Sequence, residues 1–193
     1  MDYTEGTEQQ KTYRAKKMML WFGIISLSMS FAGLTSAYVV SKERPDWLTD
    51  FEIPQAFYWS LLVIVLSSLT MHLAKVAVKK GNWGAGMGLL TTTFVLGLSF
   101  LFFQFLSFSQ IIENGYYFTG SESTITTSFL YLVVLMHLAH IIVGLICLLV
   151  VIYNHYKQKY SADNMLGLEL MATFWHFVDI LWIYLFLFFY FVR

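Results

Sequence analysis

Residues 168–192 read LELMATFWHFVDILWIYLFLFFYFV. At about 1.5 Å of rise per residue, a helix over this run crosses a hydrocarbon core about 30 Å thick. The run is apolar almost throughout, and its exceptions decide the fold as much as its bulk does. Asp179 stands near the middle, where a carboxylate costs about 2.5–3.5 kcal/mol on insertion scales, so the side bearing it needs protein rather than lipid. At about 100° per residue, Trp175, Asp179 and Trp182 fall within about 60° of one another, with His176 and Glu169 flanking them. One stripe of this helix is therefore polar and aromatic, and other helices have to cover it.

Outward from this run, four more of the same kind lie at about 18–40, 55–74, 86–108 and 126–152. They are continuously apolar rather than alternating, which excludes a barrel and leaves helices, because only these two forms satisfy every backbone group in lipid. The expected fold is all-α, a polytopic membrane protein with a bundle of five transmembrane helices in one domain over 1–193, preceded by a cytoplasmic tail at 1–17. The first run is too long for a cleaved signal peptide and has no small-residue cleavage pattern behind it. Composition agrees: 58% of the 193 residues are hydrophobic and 12% charged, against about 25% charged in a typical soluble domain. Twelve Lys plus Arg balance twelve Asp plus Glu, so no nucleic-acid partner is expected. The lone Cys147 forms no intramolecular disulfide and no thiolate cluster.

Orientation follows from the basic residues of the short loops. Lys11, Arg14, Lys16, Lys17, Lys75, Lys79, Lys80, Lys157 and Lys159 fall on one side; Lys42, Arg44 and Arg193 fall on the other. This predicts a cytoplasmic N-terminus and an external C-terminus. Glu43, Asp46, Asp50, Glu52, Glu113 and Glu122 also map to the outer side.

Two readings of the last helix stay open. Asp179 and His176 belong to a proton relay or ligand site, or they form a buried lock in which Asp179 pairs with an imidazole or indole. The lock is preferred, because a single carboxylate makes no wire through a bilayer. It predicts that Asp179→Leu weakens assembly more than chemistry. In the fourth run His137 and His140 stand i and i+3 on one face, a spacing that cannot place both axial ligands on one haem. A small b-type cytochrome would have to pair one of them with His176, or with His72 near a membrane rim. With no Glu-x-x-His pair, no His-Glu-x-x-His and no cysteine cluster, no metal or cofactor is expected in this chain. Trp47, Tyr58, Trp59 and Trp83 read as interface anchors. Gly84 with Gly88, Gly33 with Ala37, and Gly144 read as places where backbones approach.

The run Trp175-His176-Phe177-Val178-Asp179-Ile180-Leu181-Trp182 closely resembles the Trp-His-Phe-Val-Asp segment in the last helix of cytochrome c oxidase subunit III, and Glu169 stands seven residues before His176 as in that family. His137, His140 and Gly144 are similar to its His-x-x-His and following glycine; Leu96-Gly97 with Gln104, and Ile24-Ile25-Ser26, look like parts of two earlier helices. The resemblance covers about residues 18–192 and is to the short five-helix bacterial form. It implies an accessory, non-redox subunit of a proton-pumping haem-copper terminal oxidase in the bacterial cytoplasmic membrane. The haem and copper would lie in partner subunits, namely the catalytic subunit I with subunit II. The chain would steady subunit I, hold phospholipid and support proton uptake near the cytoplasmic entrance. Glu169, Trp175, His176, Asp179, Trp182, His137 and His140 would carry structural or proton-related roles. Three positions depart from the family pattern: Leu27 and Ser107 stand where many members have Glu, and Asn154 where an Arg meets a lipid phosphate. Lys157 or Lys159 would substitute as point charges for that headgroup. The alternative reading is a small proton-coupled transporter or channel subunit using Asp179.

Overall fold

A computed structural model describes residues 7–44, 47–48, 54–120, 123–160 and 164–192. Asp46, Asp50, Glu52, Glu122 and Arg193, which the loop charges assign to the outer side, lie outside the described residues. The architecture is five helices: α1 (Glu8–Val40), α2 (Gln55–Lys79), α3 (Trp83–Glu113), α4 (Ile125–Tyr156) and α5 (Leu166–Val192), with a 3₁₀ turn at Ser41–Glu43. All five are long and apolar enough to cross a membrane.

The helices outrun the apolar stretches that announce them. α1 has 33 residues, about 50 Å at 1.5 Å each, and it starts ten residues before the apolar run, inside the segment read as a tail. Hydropathy marks only where lipid begins, whereas a helix continues until its ends are capped. Here the Thr7 side chain accepts from the Gln10 backbone N–H and the Gln10 side chain accepts from that of Thr7, a reciprocal cap. Thr124 and Thr127 do the same for α4, and Asn82 caps α3 through the Ala85 N–H at 3.2 Å. At the other ends one device recurs. After α2, Gly81 takes φ +73°, its N–H reaches the Val78 carbonyl, and the Asn82 N–H reaches that of Ala77, so the last carbonyls are satisfied from outside the helix. Gln158, at φ 52°, closes α4 with the same pair of bonds, to His155 and through Lys159 to Asn154.

α2, α3, α4 and α5 close into a ring, each packing on the next and α5 back onto α2, while α1 lies outside against α4 and α5. Alternating directions bring the starts of α1, α3 and α5 to one end with the finishes of α2 and α4; Lys11, Arg14, Lys16, Lys17, Lys75, Lys79, Lys80, Lys157 and Lys159 gather there, and it is called the basic end below. At the far end the 114–120 segment folds over the start of α4 through Thr127 Oγ1 to the Tyr117 carbonyl at 3.0 Å and Ser128 Oγ to that of Phe118 at 2.9 Å. The interior of the ring is filled by Phe57, Ile64, Met71, Leu90, Phe100, Val134, Ile141, Leu148, Trp175 and Trp182, all buried. The outward surface is apolar too, with Met19, Trp21, Phe22 and Met29 on α1 exposed. In water such a surface would aggregate; in a bilayer it is solvated.

Candidate functional site

Glu169, one turn into α5 at the basic end, is joined to α1. Its carboxylate accepts a short hydrogen bond from the Tyr13 hydroxyl and pairs with Lys17 Nζ at 3.0 Å, while Lys17 Nζ also donates to the Tyr13 oxygen at 2.9 Å. Tyr13 and Lys17 share one face of α1, four residues apart, so helix α1 has to extend well before the apolar run for this cluster to form.

Two turns on, Trp175 is fully buried and its indole N–H donates to Ser67 Oγ of α2 at 2.9 Å. The ring lies in a slot between two glycines. A Cβ on Gly97 of α3 would stand 3.0 Å from Trp175 Cη2 and 2.8 Å from Leu145 Cδ2; one on Gly144 of α4 would stand 3.1 Å from Trp175 Cζ3. One indole thus contacts three helices. The close-packing glycines are these two, with Gly86 under Val78 and His155, and Gly167 under Tyr160; among the described residues Gly33, Gly84 and Gly88 meet no neighbour within 4 Å. The expectation for the last three is corrected within this chain: four-residue spacing marks a smooth face, and it does not say whether another of its helices lies there.

Asp179 is 1% exposed, and neither carboxylate oxygen makes a hydrogen bond of ordinary geometry among the described residues, the Ser68 hydroxyl being the nearest polar group to act on it. The expected pairing with an imidazole or indole is not formed. His176 turns its Nδ1 to Ser68 Oγ of α2 at 2.7 Å, Trp175 is engaged by Ser67, and the Trp182 Nε1 is itself without a partner among the described residues. His176 spends its Nδ1 on Ser68 of the neighbouring helix α2 and not on the acid one turn along its own helix. Ser68, His72, His176 and Asp179 instead line one groove of about 470 Å³ between α2 and α5, walled by Val65, Leu69, Ile180 and Ile183. The His72 and His176 rings stand 6.3 Å apart.

His137 is fully buried inside the ring, stacked on Trp182 at 5.0 Å with Phe100 at 5.9 Å and Phe31 at 6.4 Å edge-on. Neither ring nitrogen has a partner among the described residues. His140, on the same helix, gives its Nδ1–H to the Met136 carbonyl at 2.6 Å and touches Phe31. His137 therefore lies inside the bundle and His176 in an outer groove, and the two do not oppose each other. Among the described residues no three of His, Cys, Asp and Glu come together as a metal site.

At the basic end Lys157 lies over the Tyr153 ring at 4.5 Å, and Lys157 and Lys159 are exposed. Beside them a groove of about 460 Å³ runs between α1, α4 and α5, apolar along Leu20, Val143, Ile146 and Phe174, with Asn154 and Tyr160 also lining it. Burial pushes the Tyr160 phenol above its ordinary value, against a hydrogen bond with Asn154 that acts the other way. Trp83 is more than an interface anchor: its indole N–H donates to the His155 carbonyl at 3.0 Å, and His155 Nε2 donates back to the Trp83 carbonyl at 3.1 Å. Trp47 is half-buried against Tyr38, with ring centroids 4.7 Å apart, whereas Tyr58 and Trp59 are exposed.

Sequence reading alone misses Tyr13, Lys17, Ser67, Ser68 and His155 as partners. Nothing in a serine or tyrosine code shows which helix it will face.

Residues 18–193 match the family described as cytochrome c oxidase subunit III. The chain is 31% identical over 170 residues to the cytochrome bo(3) ubiquinol oxidase subunit 3 of Pseudomonas aeruginosa, covering 86% of this chain and 79% of that one. It is 34% identical over 125 residues to a cytochrome c oxidase subunit 3 of Alkalihalophilus pseudofirmus, covering 65% of this chain and 60% of the relative. To the bo(3) subunit 3 of Buchnera aphidicola subsp. Schizaphis graminum it is 30% identical over 186 residues, covering 94% and 96%. With five membrane-spanning helices and this match over nearly its whole length, the chain belongs to the cytochrome c oxidase subunit III family, the third subunit of haem-copper oxidase complexes.

Proposed function

We propose that this chain serves such a complex as an accessory subunit that carries no redox group, with haem and copper held by catalytic subunit I and subunit II beside it. The observation that carries this reading is the use of its histidines. His137 is enclosed by aromatic rings, His140 bonds its own helix, His155 clasps Trp83 and His176 bonds Ser68, so four of the five imidazoles are engaged by groups of this chain. Steadying subunit I would fall to the apolar outer faces, and holding phospholipid to the groove of α1, α4 and α5, with Lys157 and Lys159 near its head. Support for proton uptake would come from the basic end, whose loop charges support a cytoplasmic position if the chain sits in a bacterial inner membrane. Glu169, Trp175, His176, Asp179, Trp182, His137 and His140 take structural or proton-related parts in this reading. Purification through a tag on this chain tests it: a haem-bearing subunit should co-purify, and its absence would remove the proposal.

A second reading has one observation in its favour, the partnerless Asp179 beside an open groove. It makes the chain a proton-coupled carrier or channel subunit. Proton flux through vesicles containing the purified chain alone, abolished in Asp179→Asn, would establish it instead.

A further inference from the structure

A carboxyl group with no hydrogen-bond partner, buried at the middle of a transmembrane helix, is among the most costly arrangements a membrane protein can hold. In membrane proteins such groups pair with one another, with backbone, or with water in a cavity. Asp179 makes no hydrogen bond of ordinary geometry among the described residues, and it lines a groove of about 470 Å³, ample for several waters at about 30 Å³ of liquid volume each. The groove supplies the other contacts that water needs: Ser68 Oγ, the His176 ring and the His72 ring. We propose that the groove between α2 and α5 is a hydrated proton site, in which water seated on Ser68, His72 and His176 carries a proton to and from the carboxyl of Asp179.

The groups on the two walls run in register. On α2, Ser68, His72 and Lys75 follow at i, i+4 and i+7, one face of a helix heading to the basic end. On α5, Asp179, His176 and Glu169 descend toward the same end. Lys75 is close enough for its charge to act on both His176 and Glu169. The groove itself runs along the outer face of α2 and α5 from His72 and Ser68 to Asp179 and Ile183; Lys75 and Glu169, beyond its lining, continue the two polar rows toward the basic end. The imidazoles that share the groove with Asp179 are His72 of α2 and His176 of α5; Tyr13 and Lys17 of α1 sit on Glu169 at the basic end, and His137 of α4 lies inside the ring against Trp182. α3 presents no charged or imidazole group before Glu113 at the far end. In the transfer, an O–H bond of protonated groove water breaks and the O–H of the carboxyl forms; the reverse step returns it. Nothing is oxidised or reduced.

The use an oxidase makes of such a site rests on the reading above, but the site itself is a property of this chain. Infrared difference spectra of the purified complex, wild type minus Asp179→Asn, test it in H2O and in D2O. A carboxylic C=O band that moves on transfer to D2O is expected. Absence of the band, or a band that D2O leaves in place, would overturn the proposal. A band that exchanges in the isolated chain but not in the complex would overturn it too, since a partner subunit's side chain would then fill the groove. Ser68→Ala leaves the acid intact and covers the case in which Asp179→Asn fails to assemble: the band should remain but change frequency, and an unchanged frequency in both Ser68→Ala and His176→Asn would remove those side chains from the site. The optical spectrum of the same preparation reports whether haem co-purifies, so the proton site and the accessory-subunit reading can fail separately.

Discussion

Trp175 is the residue on which most of the packing turns, because one indole fills the space that two glycines leave open and closes a bond to a third helix. Alanine at Gly97 or Gly144 puts a methyl against that ring and should lower thermal stability in detergent by about 1–3 kcal/mol, the usual cost of overpacking. Ser67→Ala strands the indole N–H at a comparable cost of about 1–3 kcal/mol. Asp179 is expected to behave in the opposite way. A lock would make Asp179→Leu destabilising, but a carboxyl with no partner forfeits no bond when an apolar side chain of similar size replaces it, so the melting temperature should hold or rise. Melting curves of these variants in one detergent decide the point, and a drop for Asp179→Leu as large as that for Ser67→Ala would mean the acid has a structural partner after all. The code at 175–182 shows that the stripe is special; that the tryptophan carries the packing and the acid does not is visible only once Ser67, Gly97 and Gly144 stand around it.

Among the elements, α1 is the least anchored, with its apolar window mostly uncovered and contacts to α4 and α5 alone among the long helices. The Tyr13–Lys17–Glu169 cluster fastens its start, although Lys17 is 43% and Glu169 26% exposed, so the ion pair itself is worth about 1 kcal/mol or less. Glu169→Gln should therefore leave global unfolding nearly unchanged while backbone amides at 8–17 exchange with deuterium several-fold faster, a difference that added salt reduces in the wild type. Equal exchange in both proteins would show that the cluster fastens nothing. At α3 and α4 the reciprocal bonds of Trp83 and His155 do a similar job, and Trp83→Phe, which removes the indole N–H but keeps the backbone carbonyl, should loosen that junction by about 1 kcal/mol. Hydropathy locates α1 and α3 but stops short of these junctions, since the capping and clasping residues lie outside the apolar runs.

For the whole molecule, five alternating helices put the two termini on opposite faces of the membrane. Protease added to right-side-out vesicles should remove a tag from the C-terminus and spare one at the N-terminus if the nine basic residues of one end lie in the cytoplasm. Cleavage at the N-terminus would reverse the orientation. The ring of four helices with α1 outside also leaves two grooves of different character on the outer surface, one apolar between α1, α4 and α5 and one with a polar floor between α2 and α5.

Composition and run length by themselves determined that the chain crosses a membrane five times as helices, because lipid admits so few ways of satisfying a backbone. The stripe at Trp175, Asp179 and Trp182 was equally legible, since helical periodicity alone places those side chains together. Which groups those side chains meet was settled only by the tertiary structure. In a bilayer a helix is apolar on the faces that meet lipid and on most of those that meet other helices, so hydropathy does not say which neighbour a face meets. Ser67, Ser68, Gly97 and Gly144 acquire their roles when the helices are rotated and set against one another.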